Sequence, residues 1–162
     1  MRRFLRLRIL KFIVREEIRA WQVSKLINDV TVLSKINPKK AMNAIKKYGE
    51  KTINPEDILL IIDNTMLRSG KQGMFLTEEY LYAFSEYSGK YSIKLSEIKS
   101  LKPEINTVLK VPLVGIRVNQ EYFISLPGLN VMITHKADSA PAILLLTVFL
   151  ANTLSCEIIQ EL

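Results

Sequence analysis

One segment, Ile58–Phe84, restricts the fold of this chain more than any other part of its sequence. It begins with a five-residue apolar run, Ile58–Ile62, which is too short to cross a membrane and fits a buried strand. The loop Asp63–Gly73 follows and is rich in residues that favour turns. In Tyr80–Phe84 the aromatic side chains alternate with smaller apolar ones, a period of two that predicts a strand. The segment therefore predicts consecutive strands joined by short connections.

The rest of the C-terminal part repeats this pattern and then changes. Further strands are predicted at Tyr91–Leu95, Ile105–Lys110, Leu113–Val118, Tyr122–Leu126 and Asn130–Thr134. Ser96–Leu101 is interpreted as a connection, and Asn119-Gln120 as a tight turn. A long apolar run that follows Ser139 and Pro141 predicts a closing helix. Six or seven antiparallel strands and one apolar helix indicate an α+β fold, a β-roll or open barrel capped by that helix.

The N-terminal part is predicted to be helical. Apolar residues recur every three or four positions through the first 35 residues, with a change of phase near Trp21. A short helix, Pro38–Tyr48, follows, with Asn37 as its cap and Gly49 at its end. We therefore expect a basic helical region over residues 1–52 and a β-rich domain over residues 55–162.

Positive charge is concentrated in the N-terminal third of the chain. Residues 1–51 hold 14 Lys and Arg against 4 Asp and Glu, an excess of ten positive charges, whereas the remainder has an excess of three negative charges. Such a split indicates two modules or an arm attached to a domain, although a helix that solvates itself with Lys and Arg has the same composition.

The strongest candidate for a binding element is the basic arm at the N-terminus. Its cations alternate with apolar residues and are Arg2, Arg3, Arg6, Arg8, Lys11, Arg15 and Arg19. Three interpretations stay open: the arm lies on an anionic membrane surface, it contacts nucleic-acid phosphates, or its apolar side packs on the sheet or on a second copy of the chain. The last of these would make the protein a homo-oligomer through its N-terminal helices.

The loop region resembles a known family. Asp63-Asn64-Thr65, the run Ser69–Gly73, Thr77 and then Tyr80 or Tyr82 form a pattern similar to that of bacterial pleckstrin-homology-like domains. The resemblance covers roughly residues 55–157. It implies a seven-stranded roll capped by a C-terminal helix, in a group of largely non-catalytic modules.

The same loop is a candidate for anion binding. By resemblance to lipid-binding relatives of the fold, Arg68 and Lys71 would hold phosphate groups, while Gly70 and Gly73 would let backbone N–H groups approach an anion. Two cations are fewer than the three or so of that pattern, and a solvated loop is the alternative. A phosphate-binding P-loop is excluded, because Thr65 stands where that motif needs glycine and Gln72 where it needs Ser or Thr.

Few residues of this sequence are candidates for catalysis. A Glu-x-Lys of a metal-dependent nuclease, Glu97 and Lys99 with Asp63 upstream, is a weak alternative, and a surface turn fits these residues better. His135 is the only histidine and is interpreted as a loop residue. Cys156 is the only cysteine and is expected to be a buried thiol on the C-terminal helix. We predict no catalytic residue, no metal site and no cofactor.

The sequence therefore predicts a non-enzymatic binding or scaffolding protein that docks on a partner protein or an anionic membrane surface. A nucleic-acid-associated protein that uses the basic arm is the alternative. Arg6, Arg8 and Lys11 interrupt the apolar region that a secretory signal needs, which favours a cytoplasmic protein, with peripheral membrane contact open.

Overall fold

The fold is mixed α+β, with two β-sheets and a C-terminal helix. It is taken from a computed structural model that describes residues 30–32, 36–65, 69–108, 111–126 and 142–159. The strands of this part are β1 (Val30–Val32), β2 (Leu60–Asp63), β3 (Gly73–Leu76), β4 (Tyr80–Ser85), β5 (Gly89–Lys94), β6 (Ser100–Val108), β7 (Val111–Val118), β8 (Tyr122–Ser125) and β9 (Glu157–Ile158). The helices are α1 (Pro38–Tyr48) and α2 (Ala142–Leu154), with single 3₁₀ turns at Pro55–Asp57 and Leu95–Glu97.

The described strands form two separate sheets and do not close into a barrel. Sheet A has the order β1-β2-β3-β4-β5 and is antiparallel throughout. Sheet B has the order β8-β7-β6-β9, with β9 parallel to β6. Side chains join the two sheets where β5 and β8 approach each other. There the Ser125 N–H donates to Ser88 Oγ over 3.2 Å, and the rings of Tyr91 and Tyr122 meet edge to face with centroids 5.6 Å apart.

The centre of sheet A is buried on both faces, which explains the apolar run of β2. Leu60 and Ile62 face the main core, between the two sheets and α2, while Ile61 faces a second core on the outer side. Every residue of β2 and β3 is buried. A strand that is covered on both faces has no solvent-facing position for a polar residue, so its sequence is continuously apolar. The predicted buried strand is thus confirmed.

The second core is an aromatic layer between α1 and the outer face of sheet A. Tyr48 packs on Phe75 and Phe84 with ring centroids 5.3 and 6.3 Å apart, and Phe75 packs on Tyr82 at 4.9 Å. Each ring of this kind removes a large apolar area from water, and offset aromatic pairs add about 0.5–1.5 kcal/mol. The aromatic layer therefore fixes α1 on the sheet.

Helix α1 begins and ends as its sequence predicts. Asn37 Oδ1 accepts from the Lys39 N–H at 2.9 Å, Pro38 occupies the first turn, and the Gly49 N–H donates back to carbonyls of the last turn. The residues that face the aromatic layer share one side of the helix and are Ala41, Ala44, Ile45 and Tyr48. The predicted helix is therefore confirmed in both its bounds and its buried face.

Helix α2 confirms the predicted C-terminal helix. It packs against β6, β7 and β9 and contributes Ile143, Leu146, Phe149 and Leu150 to the main core. Its buried threonine hydroxyls are satisfied within the helix, since Thr147 Oγ1 donates to the Ile143 carbonyl at 2.7 Å. An apolar helix of this kind covers the main core as the sequence predicts.

The C-terminal end of the helix predicted over the first 35 residues is wrong. Val30–Val32 is a strand, β1, which pairs antiparallel with Leu60–Ile62. Two β-branched valines and a threonine favour extended backbone, and the edge of β2 offers them hydrogen-bond partners. The helical periodicity of this segment is therefore overridden by pairing with a distant strand.

Two more predictions near sheet B need correction: the predicted connection Ser96–Leu101 extends only to Lys99, and Cys156 is not a buried residue of the C-terminal helix. Residues from Ser100 onward belong to β6 rather than to a connection, because Leu101 and Pro103 pair with Val118 and Ile116 and point into the protein. Cys156 lies beyond the end of α2 and is only half-buried. The chain turns there through Ser155, which has a φ of 55°, into the short strand β9. Partial burial raises the pKa of the Cys156 thiol.

Several predictions concern residues outside the described part. They are the arm cations Arg2, Arg3, Arg6, Arg8, Lys11, Arg15 and Arg19, together with Arg68, His135, Ser139, Pro141 and the strand Asn130–Thr134. Within the described part, β1 and α1 pack on sheet A and so share a core with the β-rich region.

Replacing Gly73 by Ala should destabilise the protein far more than replacing Gly89. Both glycines have positive φ, 128° and 81°, but a Cβ at Gly73 would lie 1.9 Å from the Ile62 carbonyl oxygen, whereas a Cβ at Gly89 meets nothing within 4 Å. We expect urea denaturation to show a loss of about 4 kcal/mol or more for Gly73→Ala and about 1 kcal/mol for Gly89→Ala. Similar losses for the two variants would contradict the tight β2–β3 pairing.

Tyr48→Phe should stabilise the protein. The Tyr48 hydroxyl is buried and has no hydrogen-bond partner among the described residues, and a buried unsatisfied hydroxyl costs about 1–3 kcal/mol. We expect thermal unfolding to show a gain of about 1 kcal/mol for Tyr48→Phe. Tyr82→Phe is the matched control and should lose stability, because the Tyr82 hydroxyl has Glu50 as its hydrogen-bond partner. A loss in both variants would show that the Tyr48 hydroxyl has an acceptor in solution.

Candidate functional site

A buried carboxylate organises the loop between β2 and β3. Asp63 is fully buried at the end of β2, and its Oδ2 lies 3.0 Å from the Lys40 Nζ of α1. Its Oδ1 accepts from the Thr65 N–H at 3.0 Å and from Thr65 Oγ1 at 2.6 Å. The Gly70 N–H donates to Oδ2 over 3.1 Å. One side chain thus joins the strand, both arms of the loop and the helix.

Other polar contacts fasten this loop to α1. Asn43 Nδ2 donates to the Ser69 carbonyl at 2.9 Å, and the Ser69 N–H donates to Thr65 Oγ1 at 2.7 Å. Gly70 lies directly against the helix, because a Cβ on it would be 2.6 Å from the Lys40 carbonyl oxygen. The loop and the first two turns of α1 are therefore one packed unit.

The glycines predicted to approach an anion have structural contacts here. The N–H of Gly70 donates to Asp63, as described, and Gly73 is the first residue of β3, paired with Asp63 in the sheet. Lys71, the cation between them, is exposed. Arg68 belongs to residues 66–68, outside the described part. The structure thus places Gly70 and Gly73 next to the buried carboxylate of Asp63 and leaves Lys71 exposed, and anion binding by this loop stays a prediction.

The outer side of α1 carries exposed lysines. Lys39, Met42, Lys46 and Lys47 are all exposed and are named here the lysine face. Helix α1 contains four lysines and no carboxylate, and only Lys40 among them makes an ion pair with another described residue. Lys47 Nζ lies 4.8 Å from the centroid of the Phe84 ring, a cation–π contact. The lysine face therefore presents three exposed cations around one methionine.

Lys39 occupies a position that helix electrostatics disfavour. It lies in the first turn of α1, where the helix dipole is positive, and a cation there costs about 0.3–1 kcal/mol at low salt. Lys40, in the same turn, carries the same cost, but its ion pair with Asp63 offsets it. Among the described residues, none offers Lys39 a similar partner.

An acidic pocket lies at the other end of sheet A, where β4 begins. It has a volume of about 250 Å³. Its walls are Glu50, Thr52, Ile53, Asp57, Thr77, Glu78, Glu79, Tyr80 and Tyr82. Burial, and then the negative charge of Glu50 and the hydrogen bond to it, raise the pKa of Tyr82 to about 12. Four carboxylates, those of Glu50, Asp57, Glu78 and Glu79, therefore line this pocket, and none of its lining residues is a lysine or arginine.

The proposed nuclease residues do not come together. Asp63 ends β2 at the loop end of sheet A, whereas Glu97 and Lys99 follow β5, which runs antiparallel to β2, and so lie at the opposite end. The oxygens of Asp63 are taken by Lys40, Thr65 and Gly70. Among the described residues, no group of three or more His, Cys, Asp or Glu is arranged to hold a metal ion.

Sequence reasoning missed the lysine face and the acidic pocket. The sequence interpretation of Pro38–Tyr48 covers only its buried side, although four of its seven remaining positions are lysines. The pocket combines residues from three separate segments, so no local motif indicates it. Neither of the described helices combines the length and apolar character that a bilayer crossing requires.

Comparison with family models, curated proteins and solved structures finds no significant similarity for this chain. The geometry described above is therefore the basis for assigning a function. It consists of a fastened loop, a lysine face on one helix and an acidic pocket at the far end of the sheet.

Removing the cation that faces Asp63 should destabilise the fold. Lys40→Met keeps the length of the side chain but leaves a buried carboxylate without its positive partner, which typically costs about 3 kcal/mol or more. Lys39→Met is the matched control, one residue away and exposed, and should leave the free energy of unfolding unchanged or raise it by up to about 1 kcal/mol, because it removes a cation from the first turn of α1. Urea denaturation measures both, and equal effects would show that the Lys40–Asp63 pair contributes nothing to stability.

Proposed function

We propose that this chain is a non-catalytic docking module that attaches to an anionic membrane surface. The observation that carries the proposal is the exposure of lysines on α1 that pair with no other described residue, inside the third of the sequence where an excess of ten positive charges is concentrated. Basic residues near an anionic bilayer contribute about 1 kcal/mol each. Several of them suffice for reversible attachment without a membrane-spanning segment.

The β-rich part then serves as the scaffold. Its two sheets and α2 bury a main core, and the aromatic layer holds α1 rigidly on the outer face of sheet A. A pleckstrin-homology-like roll over residues 55–157 is the finer description that we propose for this part. In such an arrangement the basic arm, with its cations from Arg2 to Arg19, adds charges to those of α1, and Arg68 and Lys71 add those of the loop.

Nucleic acid is the alternative anionic partner. Lysines and arginines also contact phosphates, and the present charges alone do not separate the two ligands. The apolar residue within the lysine face favours a lipid surface, because Met42 is 38% exposed between Lys39 and Lys46 and has no role in a phosphate contact. Amphipathic surfaces of this type, cationic with apolar side chains between the charges, suit the interface of a bilayer.

Sedimentation with lipid vesicles tests the proposal. We expect the full chain to co-sediment with vesicles that contain phosphatidylserine or phosphatidylglycerol and to stay in solution with phosphatidylcholine alone. Affinity should fall as salt rises, since the attraction is screened over about 10 Å at 0.1 M ionic strength.

A parallel titration with duplex DNA identifies the competing function. A nucleic-acid-binding protein would bind DNA more tightly than anionic vesicles, with a logarithm of affinity that falls linearly with the logarithm of salt. That result, or equal binding to neutral and anionic vesicles, would contradict membrane docking by charge.

A further inference from the structure

We infer that the lysine face of α1 is the surface of the folded domain that contacts the bilayer, with α1 lying flat and Met42 entering the interface. This inference rests on the proposed function and specifies the site within it. The lysine face lies on a helix that precedes the segment resembling a known family, and no part of that resemblance assigns a role to it.

The length of α1 and the spacing of its exposed side chains fit a helix that lies flat on a surface. The helix has 11 residues and so is about 16 Å long. Lys39, Met42 and Lys46 follow spacings of three and four residues, which place them along one side. The opposite side is fixed by the aromatic layer, so the outward direction of these residues cannot rotate.

The charges around α1 also favour contact of the lysine face with an anionic surface. Within the described residues, Lys39, Lys46 and Lys47 form no ion pair, and the carboxylate nearest to α1 on the loop side, Asp63, is neutralised by Lys40. Glu50 follows the helix but is turned to Tyr82 in the acidic pocket. A bilayer that carries negative charge is therefore attracted to the lysine face and repelled from the pocket, which gives the domain one preferred orientation.

Within the described part of the protein, no ion pair offsets the unfavourable position of Lys39, and Met42 remains exposed. Lys39 opposes the helix dipole at an exposed position, and Met42 leaves a large apolar side chain in water. A folded protein retains features that lower its stability where they serve a contact with something else. An anionic bilayer offers negative charge to Lys39 and an apolar interior to Met42.

A charge-reversal pair tests the contact surface. Lys39→Glu with Lys46→Glu changes two exposed lysines of α1, and Lys94→Glu with Lys99→Glu changes two exposed lysines that lie beyond the acidic-pocket end of sheet A. Both double variants change the net charge equally. With phosphatidylserine vesicles we expect the first to bind at least about tenfold more weakly and the second to stay within about threefold of the unchanged chain.

A fluorescent residue tests the insertion of Met42. With Trp21 replaced by Phe, Met42→Trp should show a blue shift of its emission on addition of anionic vesicles. Ile105→Trp in the same Trp21→Phe background is the control, because Ile105 is a large apolar residue, 57% exposed, in a strand of sheet B. Its emission should not move.

The outcomes separate this inference from the proposed function. If the unchanged chain binds anionic vesicles and both double variants bind equally well, the lysine face is not the contact surface, while membrane docking stands. If Met42→Trp shows no shift although charge reversal weakens binding, the lysines act at a distance and the insertion of Met42 is refuted. If the unchanged chain does not bind anionic vesicles, both proposals fail together.

Discussion

The buried ion pair between Asp63 and Lys40 is the constraint on which the arrangement of this domain depends. A carboxylate without exposure to water needs a cation and hydrogen-bond donors, and here α1 supplies the cation while the β2–β3 loop supplies the donors. The ends of a strand, a loop and a helix are therefore fixed relative to one another by one side chain. The aromatic layer then holds the rest of α1, and the direction of the lysine face follows from both.

Much of the fold follows from local patterns. The apolar run at Ile58–Ile62, the alternation at Tyr80–Phe84 and the Asn37 cap each indicate their element, because the physical cause acts within a few residues. Strand Val30–Val32 and strand Glu157–Ile158 do not, since each is short and exists only through pairing with a distant partner. Such pairing depends on the tertiary structure, and the local periodicity of apolar residues carries no information about it.

The candidate site was less accessible from the sequence than the fold. Glycines in a basic loop indicated anion binding, yet the N–H of Gly70 has Asp63 as its acceptor, a contact across seven residues that spacing alone does not reveal. The sequence indicates that the lysines of α1 carry positive charge, but it does not indicate that they share one exposed surface. They become a surface only once Tyr48 and its aromatic partners fix which side of the helix faces the sheet.

The presence of two cores on opposite faces of sheet A divides the cooperativity of the domain. Separation of α1 from the sheet would break the aromatic layer and the Lys40–Asp63 pair but would leave the main core between the sheets and α2 intact. The amide protons of α1 can therefore exchange with solvent through a partial opening that requires less free energy than global unfolding. A ligand on the lysine face that requires a docked α1 would slow this exchange in the helix and leave that of β6 and β7 unchanged.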